Sequence, residues 1–461
     1  MTRKLTLLIL SGSLLAGCAN LDPADERSRI FDAAVQRQPL AAPAGLPDSQ
    51  AVVPLRADDQ VTQNAAIARA LAANPSLRAE LAEAGLARAA WAGARLPENP
   101  LLGVIWRPEE GGEDFLDIDL TASVMGMLGT PWRARAARAE YDAAQAAAIA
   151  RVIDFTAEVR SAWVAAVAAR QRLGMMEEVE RAANAAVLIA EELRAAGNIP
   201  LIELERERTF ASAALLGRMQ AAYEAERARN ALALLIAADP AVEWTLPDRL
   251  DEPEMRDLSG IERAAIAASL PLQQSRLEAD AMGRRAGIEN FASLLEHAEI
   301  GGVFEREDGD WHEAASVETV VPLFDWGQAR RAAAQIRAEQ ALDRHAARAA
   351  SVREGARTAR QAAEMAADQL AFARETQLPQ SERLLDETMQ HYNAMQLGVF
   401  ELISAFESRI GAGEAYLAAL EQAWQANIAI DRLAAGGSAG MLSMSDAAGA
   451  PEGAAGREGG H

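Results

Sequence analysis

An internal duplication limits the fold of this chain more than any other feature of its sequence. Residues 320–331 change from an alternation of apolar and polar residues, which is typical of a half-buried strand, to an Ala- and Arg-rich helical pattern. Residues 127–135 make the same change, and Gly129 precedes Gly327 by 198 residues. The sequence therefore predicts two similar halves, each of which turns from a strand into a long helix.

Each half is predicted to contain a helix, two strands, a long helix and a returning helix, so that the chain is mainly α with a small β part. The predicted elements of the first half are helix 61–96, strands 101–106 and 115–124, and helices 131–196 and 201–238. Those of the second half are helix 260–286, strands 296–305 and 311–323, helix 327–393, and a last helix that ends near residue 437. We place the first repeat at 59–242, a linker at 243–258, the second repeat at 259–436 and a disordered tail at 437–461.

The N-terminus has the pattern of an export signal that ends at a cysteine. Residues 1–17 combine a basic start with a short apolar run, and Leu15-Ala-Gly-Cys18 resembles the bacterial lipobox. The resemblance implies cleavage before Cys18 and attachment of lipid to it, and Ala19 in place of aspartate implies the outer membrane. An ordinary signal with a chance cysteine is the alternative. Residues 18–58 are predicted to form an extended, lipidated linker.

The predicted strands have one apolar and one polar face. In the second strand Leu116, Ile118 and Leu120 alternate with Asp117 and Asp119. Strands of about 9–11 residues are long enough to cross a bilayer, but four of them leave unpaired edges that hydrocarbon does not tolerate. Three chains would supply twelve strands. We therefore predict a homotrimer with a closed barrel in outer-membrane lipid, whose lumen is lined by Asp117 and Asp119.

The chain resembles the TolC-type outer-membrane factor family, in its lipoprotein branch. The resemblance rests on the opening at 70–77, the strand-to-helix switch at 320–331, and two hairpin motifs at 195–204 and 393–402. It implies a trimer with a twelve-stranded barrel and a helical periplasmic tunnel. It also implies a passive exit duct of a tripartite efflux or type I secretion system, which meets a periplasmic adaptor (membrane fusion) protein and, through it, an inner-membrane pump.

The resemblance also assigns the adaptor contacts to the tips of the two helical hairpins. The implied tip residues are Gly197, Asn198, Ile199, Met395, Gln396, Leu397 and Gly398. The family often has glycine where Met395 stands. A non-glycine residue in the left-handed conformation costs about 1 kcal/mol, so we expect the second turn to shift toward Gly398.

Three residues beside the tips are candidates for an entrance gate. Glu401, repeated by three-fold symmetry, would form a ring of carboxylates that favours cations. Glu203 and Tyr392 would hydrogen-bond between neighbouring hairpins and hold the entrance shut. The alternative for Glu401 is a solvated glutamate on the exterior.

The composition argues against several other classes of function. With 45 Lys and Arg residues against 67 Asp and Glu residues, the net charge is −22, which makes nucleic acid a poor partner. The five histidines lack metal-binding spacing, and no phosphate-binding loop or nucleophile motif supports an enzyme or a cofactor. Two other hypotheses remain: a lipid-anchored coiled-coil structural lipoprotein that forms no channel, and the periplasmic adaptor itself. The cargo, whether drug, metal ion, solvent or polypeptide, is left open.

Overall fold

The protein is described by a computed structural model that covers residues 22–38, 55–56, 59–107, 115–295, 298–307, 310–320, 324 and 326–440. Cys18, the predicted signal and most of the tail 437–461 lie outside these residues. The elements of the first half are α1 (Pro23–Arg37), α2 (Gln63–Ala73), α3 (Pro75–Ala94), β1 (Leu101–Arg107), β2 (Phe115–Ser123), α4 (Val124–Leu128), α5 (Thr130–Ala195) and α6 (Leu201–Leu235). Those of the second half are α7 (Ile261–Ala268), α8 (Leu270–Leu295), β3 (Glu299–Glu307), β4 (Asp310–Glu318), α9 (Gln328–Phe372), a π-helical turn (Ala373–Gln377), α10 (Leu378–Asn393) and α11 (Val399–Ala435).

The two halves share one small antiparallel sheet. The strand order is β1-β2-β3-β4, so each half contributes a hairpin and the two hairpins pair through β2 and β3. The register places Ile118 opposite Phe304 and Asp117 opposite Glu305. The prediction of a mainly helical chain with four strands is confirmed. The last strand is shorter than predicted, since β4 ends at Glu318 and not near residue 323.

Each half opens with two helices, whereas the sequence analysis predicted one. The first break is at Asn74, whose extended backbone precedes Pro75, and whose side chain accepts a hydrogen bond from the Leu77 N–H at 3.0 Å. The residue before proline is driven out of the helical region, and this restriction ends α2. The second break is at Ser269, whose hydroxyl accepts from the Leu272 N–H at 3.3 Å, and the helix that follows continues to residue 295.

The two strand-to-helix switches differ in their local structure. Gly327 is left-handed, with φ +74, and leads directly into α9. Gly129 has φ −74 and follows α4, a short helix that the sequence analysis missed and that lies between β2 and α5. Ser123 caps α4 by accepting a hydrogen bond from the Gly126 N–H at 2.9 Å. The duplication is therefore preserved in the order of the elements but not in this turn.

The predicted helix 327–393 contains a π-helical turn, which the sequence analysis did not anticipate. Pro379 lacks the N–H that would donate to the carbonyl of Glu375, and the helix widens over residues 373–377, just before this proline. No helix among the described residues is both long and apolar enough to cross a membrane.

Helix α1 corrects the prediction that residues 18–58 are an extended linker. Asp22 caps the helix by accepting a hydrogen bond from the Ala24 N–H at 2.9 Å, and a proline occupies the first turn. Glu26 is only 2% exposed and accepts hydrogen bonds from the Tyr141 hydroxyl at 2.8 Å and from Arg88 at 3.1 Å. These contacts dock α1 against α3 and α5.

The largest group of buried apolar residues lies where α1, α2, α3, α5 and α11 meet the segment between the two halves. Phe155 of α5 and Leu420 of α11 are almost fully buried there, together with Trp244 from the inter-repeat segment. Much of the rest of this core is alanine, which lets the helices approach closely. The sheet and the hairpin tips thus extend from a packed middle region.

Candidate functional site

The sheet has one apolar face, as the alternation in β2 predicts. Strand register places these residues of the four strands on the same side: Val104, Trp106, Leu116, Ile118, Leu120, Ile300, Phe304, Trp311 and Val317. Several are open to the surroundings, and Trp106 and Val317 are 62% and 76% exposed. Arg306 and Glu313 lie on the same side and interrupt the apolar face. An exposed and mostly apolar face of this kind marks a surface that contacts another protein or lipid.

The opposite face of the sheet is polar and acidic. Asp117 lies directly opposite Glu305, which in turn lies opposite His312, and Asp119 lies opposite Val303. One carboxylate oxygen each of Asp117 and Asp119 is shielded by protein and accepts no hydrogen bond from the described residues. Among those residues, no three His, Cys, Asp or Glu side chains are arranged to hold a metal ion. The acidic residues of this face can attract cations.

The first hairpin reverses at Gly197, as predicted. Gly197 is left-handed, with φ +78, and its N–H donates to the carbonyl of Arg194 at 3.0 Å. The Asn198 N–H donates to the carbonyl of Leu193 at 2.9 Å. This pair of bonds is the Schellman arrangement that closes a helix C-terminus. The Arg194 side chain adds a hydrogen bond to the Ile199 carbonyl at 3.1 Å.

The second hairpin reverses at Met395, so the expected shift toward Gly398 is wrong. Met395 is itself left-handed, with φ +57, and its side chain is 94% exposed. Its N–H donates to Tyr392, and the Gln396 N–H donates to His391, both at 2.9 Å, which repeats the bond pattern at Gly197. The same Schellman bonds are kept at the cost of backbone strain, whereas Gly398 is extended and precedes α11.

The three predicted gate residues lie beside the tips, and within one chain the described residues show no hydrogen bond among them. Glu203 and Glu401 lie in the first turns of α6 and α11, where the helix dipole stabilises a negative charge. Among the described residues, Glu203 and Tyr392 form no hydrogen bond with each other. One contact between the hairpins near the tips joins a different pair: the guanidinium carbon of Arg206 lies 3.9 Å from the centre of the Phe400 ring. A contact between two distant helices leaves no local pattern, so sequence reasoning missed it.

A buried glutamate near the first tip was also missed. Glu207 is 2% exposed, and neither carboxylate oxygen has a hydrogen-bond partner among the described residues. It follows Leu204 by three residues, in the row of buried side chains that continues through Ala214 and Ala221 toward the middle of α6. Burial raises the pKa of Glu207, since the charged form loses its hydration. A heptad count along α6 would have placed this carboxylate inside.

Comparison with solved structures finds the same fold in outer-membrane channels. The structure is similar to that of the outer membrane protein VceC from Vibrio cholerae, with a TM-score of 0.69 and 17% identity over 81% of this chain and 96% of that one. It is similar to the outer-membrane channel OprN, with a TM-score of 0.66 and 19% identity over 87% and 98% of the two chains. It is also similar to the open state of the MtrE outer membrane channel from Neisseria gonorrhoeae, with a TM-score of 0.62 and 20% identity over 81% and 88%.

At the level of sequence, no protein-family profile matches the chain, and no curated protein matches it.

Proposed function

Since the chain has the fold of outer-membrane channels, we propose that it is a passive outer-membrane channel and that three copies form it. The observation that carries this proposal is the exposed apolar face of a four-stranded sheet whose two edge strands, β1 and β4, each pair on one side only. In a bilayer such edges must be paired, and copies of the same chain pair them symmetrically. Twelve strands then close a barrel with Asp117 and Asp119 toward the lumen.

The N-terminal cysteine and the hairpin tips define the proposed partners. Lipid on Cys18 anchors the chain in outer-membrane lipid, and the tips at 197–199 and 395–398 contact a periplasmic adaptor protein. An inner-membrane pump supplies the energy through that adaptor, in a tripartite efflux or type I secretion system. The exposed Met395 side chain gives the second tip an apolar contact point for the adaptor.

The gate of this proposed channel lies next to the tips. Arg206 and Phe400 tie the two hairpins of one protomer together. Glu203, Tyr392 and Glu401 are available for contacts with a neighbouring protomer. Adaptor binding at the tips opens the entrance by breaking the contacts of Glu203, Tyr392 and Glu401 with the neighbouring protomer. A coiled-coil spacer without a channel is the weaker candidate, because it has no use for an exposed apolar sheet.

Two neighbouring alanines of β4 test the proposed barrel. Register places Ala314 on the polar face and Ala315 on the apolar face, and both are exposed in the single chain. Cys18 is the one native cysteine, and its thiol is blocked by the proposed lipid. In intact membranes, Ala314→Cys should react with a water-soluble maleimide and Ala315→Cys should be protected. Equal labelling of both would contradict a membrane-embedded sheet.

A further inference from the structure

A polar cavity of about 360 Å³ lies beside the segment that connects the two halves. Its walls come from the start of α2, from α5, from residues 253–257 and from the last turns of α11. It shares no residue with the sheet or with the hairpin tips. The proposed conduction path and adaptor contacts therefore do not use it, and its volume is in the range of small-molecule sites.

Two arginines in this cavity share a single carboxylate. Arg160 donates to Asp431 Oδ2 at 2.9 Å, and the Nε of Arg256 lies 3.0 Å from Asp431 Oδ1. The Arg160 side chain is 13% exposed and that of Asp431 is 17% exposed, so this pair is largely enclosed, whereas Arg256 is 46% exposed. A guanidinium has five N–H donors, and the remaining donors of both arginines have no other partner among the described residues. The surplus donors and charge can receive a carboxylate.

Two amide side chains that line the same cavity each have a buried atom without a hydrogen-bond partner among the described residues. Asn427 is 6% exposed, and its Nδ2 donates to the Glu254 carbonyl at 2.8 Å, which fixes the amide orientation. Its Oδ1 is a buried acceptor without a partner, and Nε2 of Gln63 is a buried donor without one. Leaving such atoms unpaired is unfavourable, and because neither has accessible surface, a ligand reaches them only if the side chains turn toward the cavity.

The charges around the cavity have both signs. Besides the two arginines and Asp431, the carboxylates of Glu254 and Asp257 line it. Asp257 is held by Ser259, whereas the Glu254 carboxylate has no partner among the described residues. A purely anionic ligand would meet these carboxylates, and a purely cationic one would meet the arginines.

We propose that this cavity binds a small zwitterion, either a free α-amino acid or a dipeptide with free termini. The carboxylate of the ligand accepts hydrogen bonds from Arg256, and its ammonium group donates to the Glu254 carboxylate.

Calorimetric titration of the purified full chain in mild detergent tests the proposed ligand class. The probes are alanine, dialanine, N-acetyl-dialanine, which lacks the ammonium, and dialanine amide, which lacks the carboxylate. At least one zwitterion should bind. The affinity of each of the two blocked forms should be lower by at least about tenfold, as the loss of a charge-assisted hydrogen bond predicts. Whichever of alanine and dialanine binds more tightly shows whether the ligand is a free amino acid or a dipeptide. Absence of binding by both zwitterions, or equal binding of N-acetyl-dialanine, would overturn the proposal.

Two arginine variants locate the binding site. Arg256→Gln should weaken the better zwitterion about tenfold, because the variant loses the charged donor. Arg284→Gln is the matched control, since Arg284 is an equally exposed arginine paired with Asp280 elsewhere. Equal affinities of the two variants would place the ligand outside this cavity. Inorganic phosphate that binds as tightly as the zwitterion would reduce the site to a simple anion site.

Discussion

Arg206 of the first hairpin stacks on Phe400 of the second, with the guanidinium carbon 3.9 Å from the ring centre. The pair lies close to both tips, where the proposed channel must open. A cation–π contact at an exposed site is worth about 0.5–1 kcal/mol, and three-fold symmetry would repeat it three times. Such a contact is strong enough to bias a gate toward the closed state and weak enough for an adaptor to break.

Replacement of Arg206 by alanine should increase the open fraction of the channel. The loss of about 0.5–1 kcal/mol per protomer corresponds to a change of roughly two- to fivefold for each protomer in the closing equilibrium. Single-channel recording in a planar bilayer measures this fraction. The control is Arg208→Ala, because Arg208 pairs with Glu191 and Glu205 inside its own hairpin. Equal effects of the two variants would show that the Phe400 contact does not hold the gate.

The buried carboxylate of Glu207 should make stability depend on pH. Burial raises its pKa in the folded chain, so over the interval between its ordinary and its folded pKa the folded state holds a proton that the unfolded state has released. Stability therefore falls as pH rises through this interval, and the full cost remains above it. Glu207→Gln does not lose stability in this way. The difference in Tm between this variant and the native chain should therefore grow from about pH 4 upward and then level off. Scanning calorimetry at several pH values measures this difference, and Glu226→Gln, at an exposed position, is the control. If the Tm values of Glu207→Gln and the native chain changed in parallel with pH, Glu207 would not be the group responsible.

The two hairpin turns offer reciprocal substitutions. Met395→Gly should stabilise the protein by about 1 kcal/mol, because glycine adopts the left-handed conformation without strain. Gly197→Met should destabilise it by a similar amount, since the first turn has φ +78. Thermal unfolding of both variants measures these changes. A lower Tm for Met395→Gly would mean that contacts of the methionine side chain outweigh its backbone strain.

The contacts of Glu26 should decide whether α1 stays docked. Glu26→Ala leaves Arg88 and Tyr141 without their shared acceptor, and removing one member of a buried ion pair costs about 3 kcal/mol. Trypsin should then cleave faster within α1, at sites such as Arg29. Glu26→Gln retains one of the two acceptor oxygens and should be cleaved more slowly than Glu26→Ala. Native-like cleavage of Glu26→Ala would show that apolar contacts such as those of Ile30 suffice.

The features that repeat or alternate along the chain could be predicted from the sequence. The 198-residue offset located both hairpins, and the alternation through Asp117 and Asp119 separated the faces of the sheet. Helix α1 was missed although Asp22-Pro23 has the pattern of a capped helix start, because its Pro- and Ala-rich surroundings lack a steady period. The shift expected at Met395 was wrong because a closed Schellman turn outweighs about 1 kcal/mol of strain.

The remaining features depend on tertiary contacts that no local pattern reports. Arg206 and Phe400 meet across two helices that lie far apart in the chain. Asn427 meets the segment between the two repeats, where the Glu254 carbonyl accepts a hydrogen bond from its amide. Periodicity identifies which residues face inward, but the partner of each one is set by how the helices pack.

The native mass of the membrane-extracted protein decides whether the chain forms a trimeric channel. Membranes are washed at alkaline pH, extracted in mild detergent, and the mass of the solubilised species is measured. A trimeric barrel should give a wash-resistant species of three chains, which persists in membranes when Cys18 is replaced by alanine. A single chain that the wash releases from membranes of the Cys18→Ala variant would contradict the channel and leave a lipid-anchored spacer.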